Sequence, residues 1–259
     1  MKDQVDVFRV DERGQRDFFK GEVAVEFALT IVLNGKELVT LLCSPEDLQE
    51  LAIGYLHSEG LIETKEEIKG VVLDERRGIA RIWLKGKKDL AELPFKRVIT
   101  SGCGRGASFR SALDIEGIKP VESSLSIEPA DVLHLTKEFQ RCSEVYRATH
   151  GVHSASLCDT KQILIFKEDI GRHNALDKVF GKCLLEGIPT VDRIVITSGR
   201  ISSEVLLKVA RRDVPVVVSL SAPTDQAVGL AHDLRITLIG FARGKKMNVY
   251  AGGWRLDTR

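Results

Sequence analysis

Residues 193–221 read RIVITSGRISSEVLLKVARRDVPVVVSLS, and this stretch decides the architecture. Two short runs, RIVITS and PVVVSLS, are nearly continuous in Val and Ile, which marks strands covered on both faces rather than on one. Between them SSEVLLKVA reads as a helix. A strand, a crossing helix and a second strand make a parallel pair with the helix laid across it. Working outward, the same alternation fills the second half of the chain. A helix from about 130 to 147 leads to strands near GVHSASL (151–157) and QILIFK (162–167). The helix NALDKVFGKCLL (174–185) follows, and beyond the opening stretch come the helix DQAVGLAHD (225–233) and the strand ITLIGFA (236–242). The expected fold class is α/β, with a mostly parallel sheet and helices on both of its faces in the C-terminal half.

The first half has another character. ALTIVLNGKELVTLLC (28–43) places Asn34-Gly35 between two apolar runs, and IKGVVLDERRGIARIWLK (68–85) repeats the form around a charged turn. Both predict β-hairpins. One helix interrupts them, with Ser44 as N-cap, Pro45 at N1, Asp47 at N3 and an apolar stripe of Leu48, Leu51, Ala52, Tyr55 and Leu56, ending near Gly60. The segment GIKPVESSLSIEP (117–129) is the expected boundary between a hairpin-rich N-terminal subdomain, residues 1–120, and a C-terminal α/β subdomain, residues 121–259.

Composition bounds the function. A chain of 259 residues with 43% apolar content can bury one sizeable core or two smaller ones. A net charge of +1 argues against a protein that coats a polyanion, so neither nucleic acid nor a membrane surface is an expected partner. No apolar run reaches the length of a membrane span, and the first twenty residues are too charged for a signal peptide. The expected location is cytoplasmic. Five cysteines, Cys43, Cys103, Cys142, Cys158 and Cys183, are an odd number without a C-x-x-C pair. That fits a reducing compartment and disfavours a disulfide framework or a structural zinc site, so no metal ligands are expected.

One cysteine stands apart. VITSGCGRGASF (98–109) holds Cys103 between two glycines with Arg105 two positions on. Glycines let other backbones or ligands approach, while a nearby guanidinium and the N–H groups of a Gly-rich turn lower a thiol pKa. Cys103 is the candidate nucleophile; the competing reading is an incidental thiol in a surface turn. Cys142, Cys158 and Cys183 fall within helix or strand patterns and read as core. His150, His153 and His173 are candidate partners for a cysteine nucleophile, and a structural role for His153 is equally open.

The junctions after the C-terminal strands read EDIGRHN, SGRISSE, SAPTDQ and FARGKK, so Arg172, His173, Arg200, Arg243, Lys245 and Lys246 follow strand ends. In an open parallel sheet those ends face one edge, where ligands bind. Helix N-termini capped by Ser202 or Ser203, Thr224 and Asn174 would add free N–H groups there. Together these features describe an anion site, most simply for phosphate or pyrophosphate; the competing reading is the polar loops of any such fold, with Lys245-Lys246 a solvated pair. Glu168-Asp169 has the composition of an acid/base pair, but two adjacent carboxylates before a strand-to-helix turn more often cap a helix or hold a neighbouring Arg. Standard nucleotide fingerprints are absent, since no G-x-G-x-x-G opens a helix after a strand and no G-x-x-x-x-G-K-[ST] occurs.

The strings TSGCG, GVHSASL, KEDIGRHNALDKVFG, ITSGRISSEVLLKVA, VSLSAPT and LIGFARGKKMNVY, in this order, closely resemble the FdhD family of formate dehydrogenase accessory sulfurtransferases. The resemblance implies a fold like that of cytidine deaminases, although the zinc signature of those enzymes is missing. It implies that Cys103 accepts sulfur as a persulfide from a cysteine desulfurase and delivers it to the bis(molybdopterin guanine dinucleotide) form of the molybdenum cofactor, which then enters formate dehydrogenase. By the same resemblance Phe241, Ala242, Arg243, Gly244, Lys245 and Lys246 form a cofactor-binding segment, and the protein is a homodimer. Many members of that family carry C-x-x-C in the loop, whereas Gly106 stands at the second position here. A cofactor-binding chaperone without transfer activity, and a hydrolase pairing Cys103 with a histidine, are the two other classes of function these residues allow.

Overall fold

The computed structural model describes residues 1–86, 98–99 and 118–258. The chain opens with a two-stranded antiparallel ribbon, β1 (Lys2–Val10) and β2 (Arg16–Ala24). A five-stranded sheet follows: β3 (Phe27–Leu33), β4 (Lys36–Cys43), β5 (Ile68–Asp74), β6 (Ile79–Leu84) and β7 (Val98–Ile99), in the order β5-β6-β3-β4-β7. The turn joining β3 to β4 has Asn34 at φ 50 and Gly35 at φ 82. This is the left-handed pair that a tight hairpin demands and that Asn-Gly announced. Helix α1 (Leu48–Ser58) covers this sheet through Leu48, Leu51, Ala52, Tyr55 and Leu56, all buried.

The C-terminal sheet has six strands, β8 (His153–Cys158), β9 (Ile163–Asp169), β10 (Ile194–Thr197), β11 (Val216–Ser219), β12 (Thr237–Arg243) and β13 (Lys246–Ala251), in the order β13-β12-β11-β10-β8-β9. Its helices are α2 (Pro129–Cys142), α3 (Glu144–Thr149), α4 (Arg172–Glu186), α5 (Ser203–Ala210) and α6 (Asp225–Asp233). α4 and α5 pack with Leu157, Val195, Val217 and Leu238 on one face of the sheet. On the other, Val132, Leu135 and Phe139 of α2 meet Ile194, Ile196, Val216 and Val218. That double covering is why β10 and β11 are buried at every position.

The expectation of a mostly parallel sheet is corrected. Only β10-β11 and β11-β12 pair in parallel, while β8-β9, β8-β10 and β12-β13 are antiparallel. Connections as short as those after β8 and β12 can join antiparallel neighbours only, because a parallel crossover needs a dozen residues or more. The architecture is mixed α/β in several sheets.

The start of α1 is also corrected. Asp47 is its N-cap, in left-handed conformation at φ 55. Ser44 serves another purpose: its N–H donates to Asp169 Oδ2 at 3.0 Å, and its Oγ accepts from Ile170 N at 3.1 Å. Asp169 and Lys178, both fully buried, pair at 2.7 Å, and Lys178 Nζ also donates to the Ser44 and Glu168 carbonyls. Asn174 is not a cap. Gly171 holds that position, and Asn174 Nδ2 donates to Asp169 Oδ1 and to the Leu42 carbonyl. The ion pair is therefore buried with its remaining valences filled, and it ties the end of β4 to the turn between β9 and α4.

α1 and α4 cross with almost no separation, at glycines on both sides. A Cβ on Gly54 would stand 1.7 Å from the Asp177 carbonyl oxygen, and one on Gly181 would stand 1.9 Å from that of Glu50.

His57, near the end of α1, is buried beside Arg212. Its Nδ1 lies 3.0 Å from the Ile62 carbonyl, and Arg212 Nη1 lies 2.5 Å from Nε2 and 2.7 Å from Nδ1. An imidazole that donates to a carbonyl and accepts from a guanidinium must be neutral. Burial, with the Arg212 charge second, accordingly pulls its pKa from 6.5 down to about 4. Between those values the unfolded chain binds a proton that the native state refuses. Stability is thus complete above pH 6.5 and falls as pH drops toward 4, by on the order of 3 kcal/mol from this residue. Urea midpoints measured across that range should show the decline, and His57→Gln, which carries no titrating proton, should flatten it.

Candidate functional site

β8 runs opposite to both of its neighbours, so β9, β10, β11 and β12 all point the same way. Their carboxyl ends and the amino end of β8 share one edge. A cavity of about 610 Å³ opens there, lined by Ile170 beyond β9, Ser198 beyond β10, Leu220 and Ser221 beyond β11, Arg243 at the end of β12, and His153 and Ser154 at the start of β8. The binding edge expected of such a sheet is therefore present despite its mixed pairing.

Tyr146 and Arg147 of α3, with His150 just beyond its end, also line the cavity. The helix expected over about 130–147 is broken, α2 ending at Cys142 and α3 beginning at Glu144. Ser143 causes the break. Its hydroxyl donates to Glu168 Oε1 at 2.7 Å and lies 2.7 Å from Ser154 Oγ, holding the backbone out of helical geometry. Glu168 also accepts from the N–H groups of Val145 and Tyr146. The adjacent carboxylates Glu168 and Asp169 thus face opposite sides of β9, one capping α3 as expected and the other holding Lys178, a lysine where an arginine was the expected partner.

Lining carboxylates are absent among the described residues of the cavity, whereas Arg147 and Arg243 both reach it. Arg243 is placed by a bulge. Phe241 adopts φ 51, the register of β12 on β13 shifts between Gly240 and Arg243, and Phe241 N donates to the Ser221 carbonyl. A left-handed phenylalanine is uncommon, and a bulge of this kind re-aims the side chains beyond it. Arg243 Nη2 consequently donates to the Leu220 carbonyl at 2.7 Å, across the end of β11.

Of the segment 241–246, Arg243 alone among the six lines the cavity. Ala242 is buried, Phe241 is 40% exposed, and Gly244 and Lys245 form the hairpin turn into β13, where Lys246 pairs with Arg243. FARGKK is therefore a strand end and a turn rather than a strand-to-helix junction. Arg200, Lys245 and Lys246 are exposed and do not line the cavity. Arg172, the first residue of α4, packs its Cβ and Cδ near Gly199, and its Nε is buried without a hydrogen-bond partner. His173 turns toward α5, with Nε2 3.5 Å from Glu204 Oε2. Burial, with Lys208 and Arg172, drives its pKa down to about 3. Ser202 and Thr224 are N-caps as expected, accepting from Val205 N and Ala227 N.

Cys103, Arg105 and Gly106 lie outside the described residues. The chain enters that stretch from β7, where Ile99 pairs with Leu41. The neighbouring Leu42 carbonyl accepts from Asn174, in the first turn of α4. Cys43, Cys158 and Cys183 are buried, and burial pushes each thiol up to about 12, so they are inert as nucleophiles at neutral pH. Cys142 departs from its expected core position: it is exposed at the end of α2, and its pKa is also raised, by partial burial and then by Glu138.

Comparison with known proteins fits this arrangement. The sequence profile of the FdhD/NarQ family matches residues 24–257. The chain belongs to the FdhD/NarQ family. Among relatives, the sulfur carrier protein FdhD of Bacillus subtilis (strain 168) is 46% identical over 246 residues, covering 95% of this chain and 94% of that one. The sulfur carrier protein FdhD of Staphylococcus aureus (strain MRSA252) is 42% identical over 231 residues, covering 89% of this chain and 87% of that one. A crystal structure described as that of a formate dehydrogenase accessory protein from Desulfotalea psychrophila superposes with a TM-score of 0.82 at 25% identity, covering 98% and 99% of the two chains. The FdhD/NarQ family match thus spans the ribbon's last residue, both larger sheets and the cavity. No described helix is long and apolar enough to cross a membrane.

Proposed function

We propose that this FdhD/NarQ protein takes sulfur from a cysteine desulfurase as a persulfide on Cys103 and passes it to the bis(molybdopterin guanine dinucleotide) form of the molybdenum cofactor, in the service of formate dehydrogenase. The observation that carries the reading is near-complete alignment with proteins named sulfur carriers. The cavity supplies independent support, because its arginines, serine hydroxyls and lack of described lining carboxylates suit a polyanionic ligand. Its size falls in the ~300–1,000 Å³ range of ligand pockets.

In the loading step the Cys103 thiolate attacks the outer sulfur of the donor's persulfide. A new S–S bond forms on Cys103, the donor's S–S bond breaks, and the electron pair leaves with the donor cysteine as its thiolate. Oxidant and reductant are both unnecessary, since one sulfane sulfur changes hands. With Gly106 in place of a second loop cysteine, Cys103 holds and releases that sulfur alone. The buried thiols of Cys43, Cys158 and Cys183 stand outside the relay.

Arg243 ties this reading to a measurable grip. GDP carries the guanine and pyrophosphate of the acceptor, and titration calorimetry should detect its binding. Arg243→Ala should weaken it by roughly ten- to a hundredfold, the worth of a charge-assisted hydrogen bond. Arg243→Lys should restore only part, because an ammonium lacks the planar fork. Rising salt should weaken binding, and Cys103→Ala should leave it unchanged. Undiminished GDP binding in Arg243→Ala would remove Arg243 from the site.

A further inference from the structure

His153 lines the cavity, and one of its ring nitrogens has a polar neighbour. Ser154 N donates to Ser198 Oγ at 3.0 Å, and Ser198 Oγ lies 3.3 Å from His153 Nδ1. The backbone locks the same pair, with Ser198 N donating to the Ser154 carbonyl at 3.0 Å. Having accepted from Ser154, the Ser198 hydroxyl has one proton to give, and His153 Nδ1 stands within reach. With Nδ1 as the acceptor of that proton the imidazole carries its own on Nε2; in the opposite tautomer Nδ1 would donate to the second lone pair of Ser198 Oγ. Gly199 keeps the arrangement tight, since a Cβ there would stand 3.0 Å from Arg172 Cβ and 3.5 Å from His153 Nδ1.

We propose that His153 is a ligand-positioning residue that donates from Nε2–H to an anionic oxygen of the group held between Arg147 and Arg243. This rests on the cofactor reading above and adds to it a contact outside the segment 241–246. Its chemistry differs from that of the two arginines. A guanidinium attracts any anion, whereas a single N–H fixed by a serine relay selects the orientation in which an acceptor atom meets it. The surrounding charges agree. Burial and then Arg172 depress the His153 pKa, with Asp169 opposing, so the ring is uncharged at neutral pH and one of its two nitrogens is an acceptor.

Two measurements on the full chain test the assignment. In the ligand-free protein, nitrogen-15 shifts of the His153 ring should report the Nε2–H tautomer, and Ser198→Ala should shift the tautomer balance. By calorimetry with GDP, His153→Ala should weaken binding by about tenfold. His153→Gln, whose amide N–H reaches a similar position, should recover most of the loss, and thermal midpoints should stay close to the parent's. An Nδ1–H tautomer overturns the inference whatever GDP does. A parent that binds GDP, loses it in Arg243→Ala and keeps it in His153→Ala overturns the inference alone. A parent that binds neither GDP nor pyrophosphate overturns the cofactor reading and this inference with it.

Discussion

Cys103→Ala should fold like the parent, bind GDP like the parent, and abolish maturation of formate dehydrogenase in a strain lacking its own accessory protein. Loss should be complete rather than partial because none of the four described thiols can substitute. Cys43, Cys158 and Cys183 are buried, with thiols pushed up to about 12. Cys142 is exposed but its thiol is raised too, and only a thiolate attacks a persulfide. Serine at Cys142, Cys158 or Cys183 should therefore leave transfer intact and cost stability alone, on the order of a kcal/mol or two at the buried sites. A Cys103→Ala protein that still matures the enzyme would place the transferred sulfur elsewhere.

The second large effect is on stability. Gly54→Ala inserts a methyl 1.7 Å from the Asp177 carbonyl oxygen and 2.8 Å from Gly181 N, all backbone atoms of α4. No rotamer change relieves a clash with backbone, so the two helices must separate. Overpacking in a close-packed core ordinarily costs ~1–3 kcal/mol, and a rigid helix crossing belongs at the top of that range or beyond. Gly181→Ala, facing the Glu50 carbonyl at 1.9 Å, should behave alike. The control is Gly229→Ala on α6, where a Cβ meets nothing within 4 Å. Alanine there should stabilise by roughly 0.5–1 kcal/mol through helix propensity. Urea denaturation separates the cases, and a Gly54→Ala protein as stable as the parent would mean that the helices do not cross as described. Because α4 begins at Arg172, beside the cavity edge, GDP affinity in these variants should fall with stability.

The sequence made the local structure legible where one force dominates. Continuous Val and Ile runs announced β10 and β11, Asn34-Gly35 announced its hairpin, and Ser202 and Thr224 announced their caps, since each is decided within a few residues. What stayed hidden depends on partners distant in the chain. Ser44 looks like a cap until Asp169 claims its N–H, and nothing near Ser143 says that Glu168 will break a helix there. β13 was missed because it is an edge strand whose apolar residues do not alternate with its polar ones, with Val249 exposed beside Asn248 and with Tyr250 and Ala251 adjacent. Strand direction was misjudged for β8 for a related reason: burial pattern reports how many faces are covered, and only the connection length reports direction. At the site, Arg243 was legible from its place after a strand. Tyr146, Arg147 and the serine floor were not, because their role follows from where the broken helix is laid. The i, i+4 spacing of Tyr146 and His150 was the one local hint.

The central claim, that sulfur rides on Cys103, is tested most directly by the intact mass of the protein after incubation with an active cysteine desulfurase and cysteine. The parent should gain the mass of one sulfur atom, lose it on treatment with a thiol reductant, and yield a Cys103 persulfide in the peptide spanning TSGCGR; Cys103→Ala should gain nothing. A parent that gains no mass while the desulfurase turns over, or a Cys103→Ala variant that gains as much as the parent, would contradict it.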